Sequence, residues 1–199
     1  VAIVGVDMAG FLVNVDDEGG FELDMDYFSF HYSADKTFTK KFEKIFGEPR
    51  DPKAEFFTDA SGYPSYFGEK PDNYDEIAKQ NQYYADLAAS IQVVTEQIMV
   101  KMANYAYKET GLKHLCMAGG VALNSVANRK ILAQTPFEEI YIQPAAGDGG
   151  ASTGAALYGY HAILGKPRNF VMEHAYWGEE HSPAETETFL KENNIPYEL

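Results

Sequence analysis

Read from the amino end, short apolar runs alternate with acidic turns. Residues 1–6 and 11–15 are rich in strand-forming residues, Asp16-Asp17-Glu18-Gly19-Gly20 has the composition of a turn, and residues 21–30 form a third run. Aspartate and glycine set between such runs predict an antiparallel hairpin. In the third run Phe21, Leu23, Met25 and Tyr27 alternate with Glu22, Asp24 and Asp26, giving one apolar and one acidic face. Residues 31–82 lose this alternation and carry Pro49, Pro52, Gly62, Pro64, Gly68 and Pro71. The 16 aromatic residues between Phe21 and Tyr84 nevertheless argue against disorder. The segment reads as loops and short helices packed by rings, with Phe38, Phe42 and Phe46 on one helical face.

From Asp75 the period becomes helical. Ile77, Tyr84, Leu87, Ile91, Val94, Ile98, Met102 and Tyr105 recur at intervals of 7, 3, 4, 3, 4, 4 and 3, which keeps them on one stripe ending near Gly111. One helix over 72–110 would measure about 55 Å, so a break at 80–84 is expected. Beyond it an apolar run at 114–118 stops at Gly119-Gly120, 121–134 is helical up to Pro136, 139–143 is a second run, and 150–164 is helical again. This βαβα order predicts parallel neighbours covered by helices, with ligands bound outside the carboxyl ends of the strands.

Two glycine loops fall at those ends. In Met117-Ala118-Gly119-Gly120-Val121-Ala122-Leu123-Asn124, the two glycines let the backbone approach a ligand and the next helix offers free N–H groups. Asn124, one turn in, is placed to hydrogen-bond a sugar hydroxyl or a phosphate. A tight turn with no ligand would use the same residues. The second loop, Pro144-Ala145-Ala146-Gly147-Asp148-Gly149-Gly150-Ala151-Ser152-Thr153-Gly154, is almost all small residues around one carboxylate. Gly147, Gly149 and Gly150 open the backbone to a ligand, and Asp148 is an oxygen ligand for a metal ion or phosphate-bound magnesium. The alternative is that Asp148 caps the helix beginning at 149–150. Because both loops end neighbouring strands, they are expected to face one cleft. Asp7, in Val4-Gly5-Val6-Asp7-Met8-Ala9-Gly10, is a weaker phosphate-site candidate that lacks a following Ser or Thr. Cys116 lies within an apolar strand and reads as a buried, inert thiol.

Charge narrows the range of functions. The chain has 199 residues, 30 acidic against 16 basic, and a formal charge of −14. That balance opposes a phosphate backbone and an anionic membrane surface, so neither nucleic acid nor a membrane is an expected partner. The apolar run at 1–6 is far short of the roughly 20 residues of a membrane span. With a single cysteine no internal disulfide can form, in keeping with a cytoplasmic location.

At these same motifs the sequence resembles a known family. Asp86-Leu-Ala-Ala-Ser-Ile-Gln-Val-Val-Thr-Glu96, Ala118-Gly-Gly-Val-Ala-Leu-Asn124 with Val126-Ala-Asn128, and Gln143-Pro-Ala-Ala-Gly-Asp-Gly-Gly150 leading to Gly154-Ala-Ala-Leu157 resemble the O-carbamoyltransferases of nodulation-factor and antibiotic biosynthesis. Looser matches lie at 14–30, at Phe46-Gly47-Glu48-Pro49-Arg50, and at Tyr176-Trp177-Gly178, where the family usually has Tyr-Leu-Gly. The resemblance implies an α/β, ribonuclease-H/actin-like (ASKHA-type) subdomain, with a mixed sheet, an N-terminal antiparallel hairpin and a C-terminal βαβα unit. It implies ATP and a divalent metal, iron or magnesium, as cofactors. A carbamoyl group would pass from carbamoyl phosphate, by way of carbamoyl-adenylate, to a hydroxyl of a sugar or other small molecule. Gly119, Gly120 and Asn124 would then contact nucleotide, and Asp148 would ligate metal beside two histidines of a His-x-x-x-His motif.

That motif is missing here. His31, His114, His161, His174 and His181 include no pair four residues apart, and each reads as an ordinary structural histidine. No segment matches the family's carbamoyl-adenylate-forming domain. The chain is therefore expected to be part of an actin-like domain: strands at 1–30, aromatic-rich loops at 31–82, a long helix and the βαβα half-site at 83–165, and a tail at 166–199 leading towards a missing domain. Such a fragment is expected to be inactive alone and to expose apolar surface suited to a homodimer; no catalytic residue is assigned. Two other readings stay open, an actin-like sugar or acid kinase fragment and a non-catalytic nucleotide-binding module.

Overall fold

The computed structural model describes residues 12–172 and 174–198. The expected strand at 1–6 and the Asp7 candidate lie outside them. Strands β1 (Val13–Val15) and β2 (Phe21–Leu23) pair antiparallel, with Val13 opposite Leu23 and Val15 opposite Phe21. The acidic segment between them is the hairpin turn: Asp16 Oδ1 accepts the N–H groups of Glu18 at 2.9 Å and Gly20 at 2.8 Å. The third run is shorter than its alternation predicts. Asp24 Oδ1 accepts Asp26 N–H at 3.0 Å and the Asp24 carbonyl accepts Tyr27 N–H at 3.1 Å, so the aspartate turns the chain out of the strand. Among the described residues the rest of the run pairs through an isolated antiparallel bridge, Phe28 to Phe38.

Helix α1 (Lys40–Phe46) follows, and Phe38, Phe42 and Phe46 do stack in series, with centroids 5.4 Å and 4.5 Å apart. Helix α2 (Tyr74–Thr110) is a single run of 37 residues ending at left-handed Gly111, whose N–H meets the Tyr107 carbonyl at 2.7 Å. The break expected at 80–84 is absent. That stretch is held from the side: buried Asn81 donates to the Phe57 carbonyl at 2.9 Å, while the Tyr83 and Tyr84 hydroxyls donate to the carbonyls of Phe46 and Glu48.

Strands β3 (His114–Met117) and β4 (Glu139–Ile142) are parallel neighbours, His114 opposite Glu139 and Met117 opposite Ile142, joined through helix α3 (Ser125–Gln134). Among the described residues the strands form two separate two-stranded sheets, where one mixed sheet was expected. Cys116 is also corrected. The alternation that turns Leu115 and Met117 inward places it on the outer face, where it is exposed. The closing helix is composite: a 3₁₀ turn (Asp148–Gly150), α4 (Ala151–Tyr158) and a π-helical segment (Gly159–Ile163). Beyond it, where only a tail was expected, stands helix α5 (Pro183–Glu192).

Among the described residues three buried clusters line α2. Phe57, Tyr74 and Ala78 form the first, with the Phe57 and Tyr74 rings stacked 5.1 Å apart. Leu12, Tyr27 and Phe46 form the second, against Leu87 and Val94. Met99, Ala103, Ala127, Ile131 and Phe137 form the third, which carries the parallel strands through Leu115, Met117 and Ile140. Lys101 Nζ donates to the Asp16 carbonyl at 2.8 Å and ties the hairpin to the helix. Between hairpin, α2 and β3 an apolar hollow of about 670 Å³ opens, lined by Leu12, Phe21, Ile98, Leu115 and Val121 among others. No helix among the described residues is long and apolar enough to cross a membrane.

Candidate functional site

Both glycine loops leave the carboxyl ends of the parallel strands, and they touch. Gly119 N–H donates to the Ala146 carbonyl at 2.7 Å, joining the first loop to the second at the ends of the neighbouring strands. Gly119 has φ +102°, a conformation open to glycine at little cost. After it the chain makes a 3₁₀ turn (Gly120–Leu123) before α3 begins, so the helix starts later than position 121. Gly119 and Gly120 are both exposed, as a backbone surface for a ligand requires.

Asn124 is the N-cap of α3 and not a residue inside it. Its Oδ1 accepts the Ala127 N–H at 3.1 Å, the contact that satisfies a free donor of the first turn. The same oxygen accepts from Gln92 Nε2 at 3.1 Å, and Asn124 Nδ2 donates to Gln92 Oε1 at 2.9 Å. Gln92 also donates to Glu96 Oε1 at 2.8 Å, and Glu96 is paired with Lys130. The Glu96 side chain is 5% exposed. The Lys130 ammonium, and next the Gln92 amide, hold its carboxyl below the ordinary carboxylate range, against burial acting in the other direction.

Sequence reasoning passed over these partners. Their signal was the i, i+4 placement of Gln92 and Glu96 within an otherwise apolar helix face. Asn128, one turn further along α3, was also missed: buried, it donates to the Ala122 carbonyl at 2.7 Å, while its Oδ1 has no partner among the described residues.

In the second loop Gly150 is fixed by a close approach. A Cβ there would stand 2.1 Å from the Ala145 carbonyl oxygen and 2.9 Å from the Gln143 amide nitrogen. Gly147 and Gly149 face open space. Asp148 opens the 3₁₀ turn with an exposed side chain, and the N-cap of α4 is Gly150, with no side-chain capping bond, where the capping alternative expected Asp148. No group of three or more His, Cys, Asp or Glu among the described residues could hold a metal ion. A lone exposed carboxylate does not fit a metal centre without further ligands.

An α/β chain with two touching glycine loops at the carboxyl ends of parallel strands has the ligand-site geometry of that class. Comparison with known proteins makes the assignment specific. Residues 4–157 match the family model described as the carbamoyltransferase N-terminus, and the chain belongs to that carbamoyltransferase family. An uncharacterised protein of Synechocystis is 40% identical over 185 residues, 90% of this chain and 26% of its own length. The nodulation protein NolO of Bradyrhizobium diazoefficiens is 39% identical over 100 residues, half of this chain and 18% of its own length. A tRNA N6-adenosine threonylcarbamoyltransferase of Bordetella petrii is 48% identical over 50 residues, 25% of this chain and 14% of its own. The chain thus spans about a quarter or less of these relatives.

Proposed function

We propose that the chain is part of the actin-like, ATP-binding domain of an O-carbamoyltransferase that acts on a hydroxyl of a sugar or other small molecule. The observation that carries this reading is the Gly119 N–H to Ala146 carbonyl contact. It joins two backbone-rich loops at the strand ends inside the stretch that matches the family. The loops offer main-chain donors, and the N-terminus of α3 adds its dipole, which together suit the phosphates and ribose of a nucleotide. In the proposed transfer the acceptor hydroxyl oxygen attacks the carbamoyl carbon of carbamoyl-adenylate, the bond to the adenylate oxygen breaks, AMP leaves, and the hydroxyl proton goes to solvent or a base. Asp148, exposed beside the glycines, would bind the divalent metal only together with ligands from elsewhere.

The test uses the full-length protein with ATP, carbamoyl phosphate and a panel of hydroxylated acceptors. Release of AMP and pyrophosphate together with a carbamoylated acceptor is expected, and Asp148→Ala should abolish transfer. ADP as the product would select a kinase instead, and undiminished turnover in Asp148→Ala would remove Asp148 from the site.

A further inference from the structure

The chain of polar contacts behind the first glycine loop has a direction. Ala127 N–H can only donate, so it requires the oxygen of Asn124, 3.1 Å away, on its side. At the other end the ionised Glu96 can only accept, so it requires the nitrogen of Gln92, 2.8 Å away, on its side. Between them the two amides close a ring of two hydrogen bonds, 3.1 Å and 2.9 Å long, in the one orientation that satisfies both ends. Lys130, on α3, neutralises Glu96 and returns the chain of contacts to the helix that Asn124 caps. With Oδ1 twice engaged and one Nδ2 hydrogen given to Gln92, Asn124 retains one amide hydrogen that has no partner among the described residues.

We propose that Gln92 and Glu96 are positioning residues of the glycine-loop site, locking Asn124 as a hydrogen-bond donor, so that the site receives an acceptor oxygen of its ligand, a ribose or phosphate oxygen. This rests on the nucleotide reading above and adds to it the residues on α2 that set the polarity of Asn124. An asparagine free to rotate would offer either its oxygen or its nitrogen. Here the buried carboxylate of Glu96 removes that freedom from one side and the α3 N-terminus removes it from the other. Gln92 transmits the constraint across the gap between the helices.

The test is a double-mutant cycle on ATP affinity in the full-length protein, measured by calorimetry with magnesium present, alongside thermal unfolding of each variant. Asn124→Ala should weaken ATP binding roughly tenfold, the loss of one or two hydrogen bonds. Gln92→Met, which keeps the volume and removes the amide, should weaken it by a similar factor. In the Asn124→Ala background Gln92→Met should have no further effect on affinity, because Gln92 acts only through Asn124. A merely structural Gln92 would cost the same in both backgrounds, and that result would overturn the proposal, as would wild-type affinity in Gln92→Met alone. Should the methionine variant not fold, Gln92→Ala replaces it in the same cycle. If Asn124→Ala leaves ATP affinity unchanged, or the unaltered protein binds no ATP, the nucleotide reading itself fails; a flat Gln92 arm beside a responsive Asn124 arm removes only the positioning role.

Discussion

At the scale of single residues, Glu96 owes its identity to a contact made across the fold and Gly150 to a close approach within its own loop. Glu96 is buried, and Lys130 and Gln92 lower its folded pKa below the ordinary carboxylate range of the unfolded chain. Such a group contributes stability that is present above the unfolded pKa and is lost as pH falls through the depressed folded value. Thermal midpoints followed from pH 7 to pH 3 should therefore decline more steeply for the unaltered protein than for Glu96→Gln, and parallel curves would contradict the pairing. At Gly150 a methyl group would meet backbone at 2.1 Å, which no side-chain rotation relieves, whereas position 149 is open. Gly150→Ala should destabilise by about 1–3 kcal/mol and Gly149→Ala by much less, compared by urea denaturation. The glycine-rich composition was plain in the sequence. Which glycine is obligatory was not, because the answer lies in how closely Ala145 and Gln143 pass.

At the scale of elements, hydrophobic period located α2, but the break expected at 80–84 does not occur. The stripe from Ile77 to Tyr105 was legible, as were the parallel βαβ order and the glycine stop at 111. Continuity through 80–84 depends on tertiary hydrogen bonds from Asn81, Tyr83 and Tyr84, made to the carbonyls of Phe57, of Phe46 at the end of α1, and of Glu48, all far away in the chain. Asn81→Leu would leave the Phe57 carbonyl without this partner in a buried setting, and a cost of about 1–3 kcal/mol is expected in urea unfolding. A neutral result would show that the loop shifts to find another donor. Helix α5 had a local signal that went unread: Ser182 and Glu185 form a capping box, with Pro183 in the first turn. The third run of the amino-terminal part erred the opposite way. Its period of two was real, yet Asp24 folds its side chain back onto the backbone and ends the strand at Leu23.

At the scale of the molecule, the candidate site was legible where backbone chemistry dominates and hidden where side chains from distant segments meet. Gly119, Gly120 and the Gly147–Asp148 loop were found from composition and position, and the Gly119 to Ala146 contact joins them. The Gln92–Glu96–Lys130 chain was not, since it spans two helices 34 residues apart in sequence at the Glu96–Lys130 pair. The long helix α2 has a consequence for how this structure comes apart. It passes through three separate clusters, with Tyr74 and Ala78 in one, Leu87 and Val94 beside the next, and Met99 and Ala103 in the last. Opening can then proceed in sections along one rod, each section with its own free energy. Amide hydrogen exchange should record it: Phe57→Ala is expected to speed exchange at 56–82 while β3, α3 and β4 keep their protection. Equal acceleration throughout would instead describe a protein that opens only as a whole, with the helix transmitting every local loss to the glycine loop that meets it at Gln92.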